Sequence, residues 1–302
     1  MMKSAQRGEW ISGIRLESAR AFASSAVALA LMLVGLAILA TQSAQAQAFS
    51  VLYSFTGSPD GAYPYAGLVP DAKGNLYGTT SFGGASNYGT VFKLNSKDKE
   101  TVLLSFAGGG YPYDALLDVN GQFYGTTYSG GASNFGTVFK VDASGKETVL
   151  HSFAGSSDGE YPFAGLVRDA KGNFYGVTTL GGRFGNGVVF KVDKAGKETL
   201  LYTFTGGADG GNPFEGLIRD AKGNLYGTTE VGGTSGLGTV YKVNSKGKET
   251  VLHSFAGGAN GRIPFSALIR DTKGNFYGTT EQGGDVTCNP PYGCGTVFKL
   301  IP

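Results

Sequence analysis

Hydrophobic and polar positions alternate along residues 49–302 in short stretches that glycine, asparagine and aspartate interrupt. In the first group, four stretches rich in Val, Thr, Tyr, Phe and Leu predict β-strands at residues 65–69, 76–80, 90–94 and 100–106. The polar connections between them, such as residues 71–75, have the composition of hairpin turns. The pattern therefore predicts an all-β unit of four antiparallel strands.

The same unit recurs along the chain. The segment Tyr77-Gly78-Thr79-Thr80 is followed by related segments at Tyr124, Tyr175, Tyr226 and Tyr277, with spacings of 47, 51, 51 and 51 residues. A fixed period of this length indicates a repeat architecture. The third and fourth strands of each copy are apolar on both faces, which is typical of a blade packed between two neighbours.

The two ends of the chain favour a closed ring. The last copy stops after its third strand, near Leu300, whereas residues 49–55 have the pattern of a fourth strand without a sheet. An open stack would expose both ends and would need polar caps. We therefore predict a five-bladed β-propeller with four antiparallel strands per blade, in which the N-terminal strand completes the last blade.

The N-terminal region has the layout of a secretory signal. Basic residues precede an uninterrupted apolar run of 15 residues at positions 26–40, and residues 44–48 offer two small-x-small cleavage sites. A membrane-spanning helix needs about 20 apolar residues. We predict a signal peptide at residues 1–48 and a single propeller domain at 49–302, located in the periplasm, at the cell surface or outside the cell. Contact with a membrane is expected only if the signal stays uncleaved.

Charge narrows the range of partners. Residues 1–48 contain four of the 25 basic and two of the 23 acidic residues, so the rest of the chain carries 21 of each. A neutral surface gives no electrostatic attraction to a phosphate backbone, which argues against nucleic acid as a partner.

The two cysteines, Cys288 and Cys294, lie in one loop of the last copy. In an oxidising compartment this spacing predicts a disulfide. A metal site is disfavoured because two thiols without a further Cys or His cannot complete a tetrahedral ligand set. We predict no metal and no cofactor.

The repeated Gly-Asn-(Leu/Phe)-Tyr-Gly-Thr-Thr segment, followed by a Gly-Gly pair and Gly-Thr-Val-Phe-Lys, resembles the bacterial GloVer tandem-repeat proteins, which are grouped as surface proteins with a choice of anchor. The similarity extends over residues 50–300. It implies an extracytoplasmic or cell-surface role and brings no catalytic residues with it.

Carboxylates are the candidate catalytic groups because histidine is nearly absent. His151 and His253 share one repeat position in the fourth strand, and we interpret both as structural. Glu215 stands at the start of a first strand where other copies have small residues, and Glu230 and Glu281 follow the Tyr-Gly-Thr-Thr segments of adjacent blades. A pair of carboxylates about 5 to 9 Å apart would suit glycoside hydrolysis.

Two other sets of acidic positions are interpreted as turn chemistry. One precedes the fourth strand and is expected to be solvated: Glu100, Glu147, Glu198 and Glu249. The other precedes glycine in the loops that join consecutive blades: Asp60, Asp158, Asp209 and Asn260. A calcium loop would need several oxygen ligands at close spacing, which these loops lack.

Ligand-binding candidates lie in the long loops between the second and third strands and between blades, which vary from copy to copy and should share one face. They are Tyr88, Phe135, Phe184, Asn186, Asp114 and Tyr292. Aromatic residues rimmed by Asn, Ser and Gly suit a sugar or peptide site. The alternative is that the aromatic residues only pack the loops onto neighbouring blades.

These features favour an exported, non-catalytic binding or adhesion module for carbohydrate or a cell-surface ligand. A glycoside hydrolase or lyase that uses carboxylates on the fourth and fifth blades is one alternative. A purely structural surface protein is the other.

Overall fold

The computed structural model describes residues 48–302, so the predicted signal peptide lies almost wholly outside the described residues. Leu52–Pro302 forms one compact unit. This unit contains five antiparallel sheets of four strands each, and these five sheets fit the predicted number of blades.

In the first four sheets the strands pair in chain order. The first sheet consists of β1 (Val69–Pro70), β2 (Leu76–Thr80), β3 (Thr90–Leu94) and β4 (Glu100–Ser105). The second consists of β5 (Leu117–Val119), β6 (Gln122–Thr127), β7 (Thr137–Asp142) and β8 (Glu147–Ser152). The third consists of β9 (Val167–Arg168), β10 (Phe174–Thr178), β11 (Val188–Val192) and β12 (Glu198–Thr203). The fourth consists of β13 (Ile218–Arg219), β14 (Leu225–Thr229), β15 (Thr239–Val243) and β16 (Glu249–Ser254).

The fifth sheet differs from the others. It consists of β17 (Arg262–Pro264), β18 (Ile269–Arg270), β19 (Phe276–Gln282) and β20 (Thr296–Leu300), and a single 3-10 turn at Gly258–Asn260 precedes it. Both β17 and β18 pair with one side of β19, and β20 pairs with the other. Within residues 48–302, the fifth sheet therefore has no strand in the outer position that β4 occupies in the first sheet.

The predicted strands agree with the structure in the middle of each sheet and differ at its edge. Residues 76–80 and 90–94 form strands as predicted, and the fourth strand ends one residue early, at Ser105. The predicted first strand at 65–69 is wrong, because only Val69–Pro70 pairs with β2. The residues before Val69 instead belong to the loop that precedes the first sheet.

Each pair of consecutive sheets encloses one hydrophobic core, so the four cores lie at the four successive interfaces. The glycine of the Tyr-Gly-Thr-Thr segment is required by this packing. A Cβ on Gly125 would lie 2.8 Å from Cζ of Phe139 and 3.3 Å from Leu116. Glycine therefore recurs there in every sheet because a phenylalanine or tyrosine ring lies against the backbone.

The first and fifth sheets retain exposed apolar faces. Val297 of β20 is 82% exposed, whereas its equivalents in the other four sheets are fully buried. Leu68 and Ile269 are 50% and 69% exposed. Residues 51–56 form no strand in the structure. The pairing of the N-terminal segment with the last blade therefore stays a prediction.

The hairpins that follow the first strands are held by an aspartate. Asp169 Oδ1 accepts a hydrogen bond from the Asn173 amide at 2.9 Å, and its Oδ2 accepts from Asn173 Nδ2 at 2.8 Å and from Tyr175 Oη at 3.0 Å. The same three contacts recur around Asp71, Asp220 and Asp271. These aspartates close turns, in keeping with the hairpin chemistry of the sequence.

The loop acids expected to serve as turn residues also anchor the preceding strand. His151 Nε2 lies 3.0 Å from Asp158 Oδ2, and the Ala154 amide donates to Asp158 Oδ1 at 2.8 Å. Burial is the main influence on His151 and lowers the pKa of its imidazole, although the charge of Asp158 opposes that shift. His253 makes the corresponding contact with Asn260 at 3.2 Å. Both histidines thus have structural partners.

Of the four glutamates that begin the fourth strands, Glu147 is exposed as expected, whereas the other three are partly covered. One carboxylate oxygen of Glu100, Glu198 and Glu249 is buried and has no hydrogen-bond partner. Burial, followed by the charge of Asp158, raises the pKa of Glu198 to about 7. Burial and then Asp209 raise the pKa of Glu249 to about 7. The expectation was wrong for these three residues because the neighbouring sheet covers this position.

Candidate functional site

A stack of aromatic rings marks one face of the sheets. Each ring directly follows a proline and lies four residues before the first residue of β1, β5, β9, β13 or β18. The rings are Tyr65, Tyr113, Phe163, Phe214 and Phe265, and the centroids of successive rings are 6.2, 4.5, 4.1 and 4.4 Å apart. Tyr65 at one end is 63% exposed and Phe265 at the other is 42% exposed, so the end rings keep surface for a ligand.

The backbone before each proline fixes the position of these rings. Tyr111 has φ of 59°, in the left-handed region, and so do Tyr63, Tyr161, Asn212 and Ile263. The Tyr111 amide donates to the Tyr88 carbonyl of the preceding sheet at 2.8 Å, and the Tyr111 carbonyl accepts from the Tyr128 amide at 3.1 Å. The segment is thus held on two sides, which pre-organises the face.

One cavity on this face is acidic and aromatic. It has a volume of about 540 Å³ and is lined by Tyr65, Phe82, Tyr113, Asp114, Phe163, Ala164 and Glu215. Small-molecule sites have volumes of about 300 to 1,000 Å³. We call this space the acidic cavity.

Asp114 and Glu215 differ in how they are held. Asp114 Oδ2 accepts a hydrogen bond from the Gly165 amide at 2.5 Å, and Oδ1 accepts from its neighbour Ala115 at 2.6 Å. Within residues 48–302 no group donates a hydrogen bond to Glu215, and burial followed by the charge of Asp114 raises the pKa of Glu215. Glu215 is therefore the carboxyl group available to a ligand, and it can carry a proton more readily than an ordinary glutamate.

A second cavity adjoins the first. It has a volume of about 420 Å³ and is lined by Phe82, Tyr111, Tyr113, Tyr128, Ser129, Asn134 and Tyr161. Phe82 and Tyr113 also line the acidic cavity. We call this second space the tyrosine cavity.

Comparison with known proteins gives the family. The model of the Gloeobacter/Verrucomicrobia repeat matches residues 38–221 and 170–302. The chain belongs to this repeat family. The match confirms the resemblance seen in the repeated Tyr-Gly-Thr-Thr segments.

Solved structures similar to this Gloeobacter/Verrucomicrobia repeat protein are β-propeller-like. A streptogramin B lyase is 13% identical with a TM-score of 0.52, and the match covers 80% of this chain and 65% of the lyase. The virginiamycin B lyase of Staphylococcus aureus is 10% identical with a TM-score of 0.51, over 79% of this chain and 70% of that one. The extracellular domain of a one-component system of B. thetaiotaomicron is 17% identical with a TM-score of 0.51, over 75% and 29%. At these identities the likeness shows the fold alone.

No protein with a curated description matches the repeat protein. The part of the chain that the structure describes contains no helix able to span a bilayer.

The structure separates the predicted ligand-binding residues into groups. Asp114 lines the acidic cavity. Tyr88 and Phe135 are partly buried and pack against inter-sheet cores, where their rings contact Tyr111 and Tyr161 of the next sheet. Their carbonyls accept the amide hydrogen bonds that hold the left-handed residues. The packing alternative thus describes the observed contacts of these two rings.

The remaining loop residues are not among those that line the two cavities. Asn186 donates from Nδ2 to the carbonyls of Phe184 and Thr205, at 2.9 and 3.0 Å, and so joins two loops. Phe184 is half exposed beside Arg183. Tyr292 lies under Arg262, in the loop that the Cys288–Cys294 disulfide closes.

Of the three glutamates predicted for catalysis, only Glu215 lines the acidic cavity. Glu281 is exposed on the fifth sheet. The Glu230 amide donates to the Asn212 carbonyl at 3.1 Å, which fixes its backbone to the fourth sheet. The carboxyl group that influences Glu215 is Asp114 of the second sheet rather than Glu230 or Glu281.

Sequence reasoning overlooked the aromatic stack itself. Its signal was present, because a proline followed by an aromatic residue recurs in all five copies, from Pro64-Tyr65 to Pro264-Phe265. We expected these residues to begin the first strands. The left-handed residue before each proline directs them to the loop face instead.

Proposed function

We propose that this protein is an exported binding module that recognises carbohydrate through the acidic cavity without turning it over. The observation that supports this proposal most directly is the open cavity in which the exposed ring of Tyr65 and the carboxyl group of Glu215 face the same space. Aromatic rings can pack against the apolar faces of sugar rings, and a carboxylate can accept hydrogen bonds from sugar hydroxyls. Cell-surface glycans are the corresponding natural ligands.

Two observations on the location of this protein agree with the same proposal. One similar structure is an extracellular domain, and the N-terminal sequence has the pattern of a secretory signal. We propose a periplasmic, cell-surface or secreted location, in which the disulfide between Cys288 and Cys294 would be maintained.

A glycan array followed by calorimetric titration of the best ligand tests the binding function. Glu215→Gln should weaken binding about tenfold, because a hydrogen bond to a charged group contributes about 1.5 to 3 kcal/mol. Glu230→Gln and Glu281→Gln serve as matched controls and should leave the affinity unchanged. Equal effects of all three substitutions, or binding that survives Tyr65→Ala and Glu215→Gln together, would place the ligand elsewhere. Absence of any glycan binding together with self-association would favour the structural alternative.

A second candidate function is a glycoside hydrolase or lyase. The observation in its favour is that burial raises the pKa of Glu215 while the charge of Asp114 lies near, an arrangement that suits a general acid beside an ionised carboxylate. The names of two similar structures include a lyase activity, but that activity is theirs. Release of reducing or unsaturated ends from a polysaccharide, lost in Glu215→Gln and kept in Glu230→Gln, would favour this reading over binding alone.

We also propose that the five sheets form a closed five-bladed propeller, with residues 49–55 as the outer strand of the last blade. Two observations support closure. The fifth sheet has no strand beyond β20, and Val297 on that strand is exposed where its counterparts are buried. Pairing with the N-terminal segment would satisfy the free backbone groups of β20 and bury Val297.

A further inference from the structure

The acidic and tyrosine cavities adjoin each other on the same face and share two lining residues. Phe82 of the first sheet and Tyr113 of the second line both of them. Glu215 lines only the acidic cavity, and Tyr161 lines only the tyrosine cavity. Each cavity separately has a volume typical of a small-molecule site, so a ligand of one ring would leave one of the two empty.

The tyrosine cavity is restricted to the first three sheets by the sequence of the repeat. The residue after Tyr-Gly-Thr-Thr is Tyr128 in the second sheet but Glu230 and Glu281 in the fourth and fifth. The residue before the proline is Tyr111 in the second sheet and Tyr161 in the third, but it is Asn212 in the fourth and Ile263 in the fifth. The repeat therefore builds this cavity once, although the backbone positions recur five times.

The two cavities offer different chemistry. Tyr128 stacks on Tyr161 with ring centroids 4.7 Å apart and meets Tyr113 edge-on at 5.7 Å. Asn134 Oδ1 accepts from the Gly130 amide at 2.9 Å, so its amide nitrogen is left to donate. Burial raises the pKa of Tyr128, which keeps its hydroxyl protonated. The tyrosine cavity thus presents neutral donors and acceptors between aromatic rings, whereas the acidic cavity presents carboxyl groups.

We propose that the ligand is an oligosaccharide whose consecutive units occupy the acidic and tyrosine cavities together, so that a single sugar unit cannot satisfy the site. This inference rests on the proposed carbohydrate-binding function. Neutral hydroxyl-bearing units suit the tyrosine cavity, where hydroxyl groups and an amide can exchange hydrogen bonds with them. A unit with several hydroxyls, or with a basic nitrogen, suits the carboxyl groups of the acidic cavity.

Calorimetric titration with chito-, cello- and xylo-oligosaccharides of one to six units tests the inference. In the series that binds, the affinity should rise at least tenfold between one unit and two or three units and then level off. Tyr128→Thr should remove this gain. The substitution is suited to the fold because Thr179 occupies the same repeat position in the third sheet.

The matched control is Glu230→Thr, which makes the same replacement at the same repeat position of the fourth sheet and should preserve the whole length series. Thermal unfolding of both variants checks that each is folded. A single unit that binds as tightly as the longer ligands would overturn the two-cavity inference while leaving carbohydrate binding intact. An unchanged length dependence in Tyr128→Thr would overturn it as well. Failure of every sugar to bind would instead overturn the proposed function and, with it, this inference.

Discussion

The ring of Phe55 packs edge-on against the ring of Phe92, with centroids 4.9 Å apart and planes at 69°. The same contact joins the end of each fourth strand to the third strand of the next sheet. The other pairs are Phe106 with Phe139, Phe153 with Phe190, Phe204 with Tyr241, and Phe255 with Phe298. Phe55 therefore contacts the first sheet in the same way as the phenylalanine at the end of a fourth strand contacts the next sheet.

Ring closure can be tested with a pair of cysteines. In the other sheets Val91, Val138, Val189 and Val240 face Leu104, His151, Tyr202 and His253 across the outer strand pair. By the same register Val297 should face Tyr53. Tyr53→Cys with Val297→Cys is expected to form a disulfide under mild oxidation, because facing residues in paired strands come within bonding range. Peptide mapping by mass spectrometry distinguishes it from the native Cys288–Cys294 bond.

The control for this crosslink is Tyr53→Cys with Lys299→Cys, which is two residues out of register on the same strand. It should crosslink poorly. If neither pair crosslinks, or both do so equally, the N-terminal segment is not the fixed outer strand of the last blade.

A second relationship repeats in three of the four loops between sheets and in the loop before the first sheet. Tyr202 Oη donates to Asp209 Oδ2 at 2.8 Å, and the Thr205 amide donates to the same oxygen at 2.9 Å. Burial opposes ionisation of Asp209, but these hydrogen bonds outweigh it and lower its pKa. The loop after Phe106 is shorter and has no acid, and there the strand carries Leu104 instead of Tyr or His. The residue on the fourth strand and the residue in the following loop therefore occur together as a hydrogen-bonded pair.

Asp209→Ala is expected to lower the free energy of unfolding by about 1 to 3 kcal/mol, because it leaves the Tyr202 hydroxyl without its acceptor. Adding Tyr202→Leu to that variant should recover part of the loss, since the first sheet already uses leucine at this position. Urea unfolding of the two single variants and the double variant measures the coupling. Strictly additive losses would show that the pair does not act together.

The sequence predicted the inner pairs of strands well because alternation and turn residues are local signals. It failed for the first strand, where a left-handed residue such as Tyr63 and the proline that follows it break the extended pattern. It also failed for Glu198, because the sheet that covers this residue comes from another copy. The pairing of Asp114 with Glu215 could not be predicted, since it depends on how the second and fourth sheets converge and not on either local sequence.

The buried glutamates predict how stability changes with pH. The pKa of Glu198 and of Glu249 is about 7 in the folded protein and near the ordinary glutamate value when the chain is unfolded. The folded state therefore binds more protons between these values, and the stability that these groups contribute is present below about pH 4 and is lost as the pH rises toward 7. The melting temperature should fall over this range.

The variant Glu198→Gln with Glu249→Gln should flatten the decline in melting temperature, because neither side chain can then ionise. Exposed Glu281→Gln is the control and should leave the slope unchanged. At lower pH the opposite trend is expected. The Asn75 and Asn275 side chains are the main groups that lower the pKa of Asp71 and Asp271 to about 2, so their contribution is lost as the pH falls through that region. A melting temperature that rises from pH 5 to 7 would contradict the raised pKa of Glu198 and Glu249.

The hairpins before the fourth strands allow a reciprocal test of backbone strain. Asp98 has φ of 59°, and the other hairpins have Gly145, Gly196 and Gly247 at that position. A left-handed conformation costs an L-residue other than glycine roughly 1 to 2 kcal/mol, and aspartate tolerates it better than most. Asp98→Gly should therefore raise the stability by up to about 1 kcal/mol in urea unfolding.

Gly145→Asp should do the reverse and by more, because a Cβ there would lie 2.1 Å from the carbonyl oxygen of Leu103 on the preceding sheet. That close approach adds a steric clash to the backbone strain, so we expect a loss of several kcal/mol. By the repeat spacing, the counterpart of Leu103 for Asp98 is Leu52, which lies in the N-terminal segment and forms no strand. The loss of stability in Gly145→Asp could instead be no larger than the gain in Asp98→Gly. In that case backbone strain at φ alone would explain both substitutions, and the hairpin would not pack on the preceding sheet.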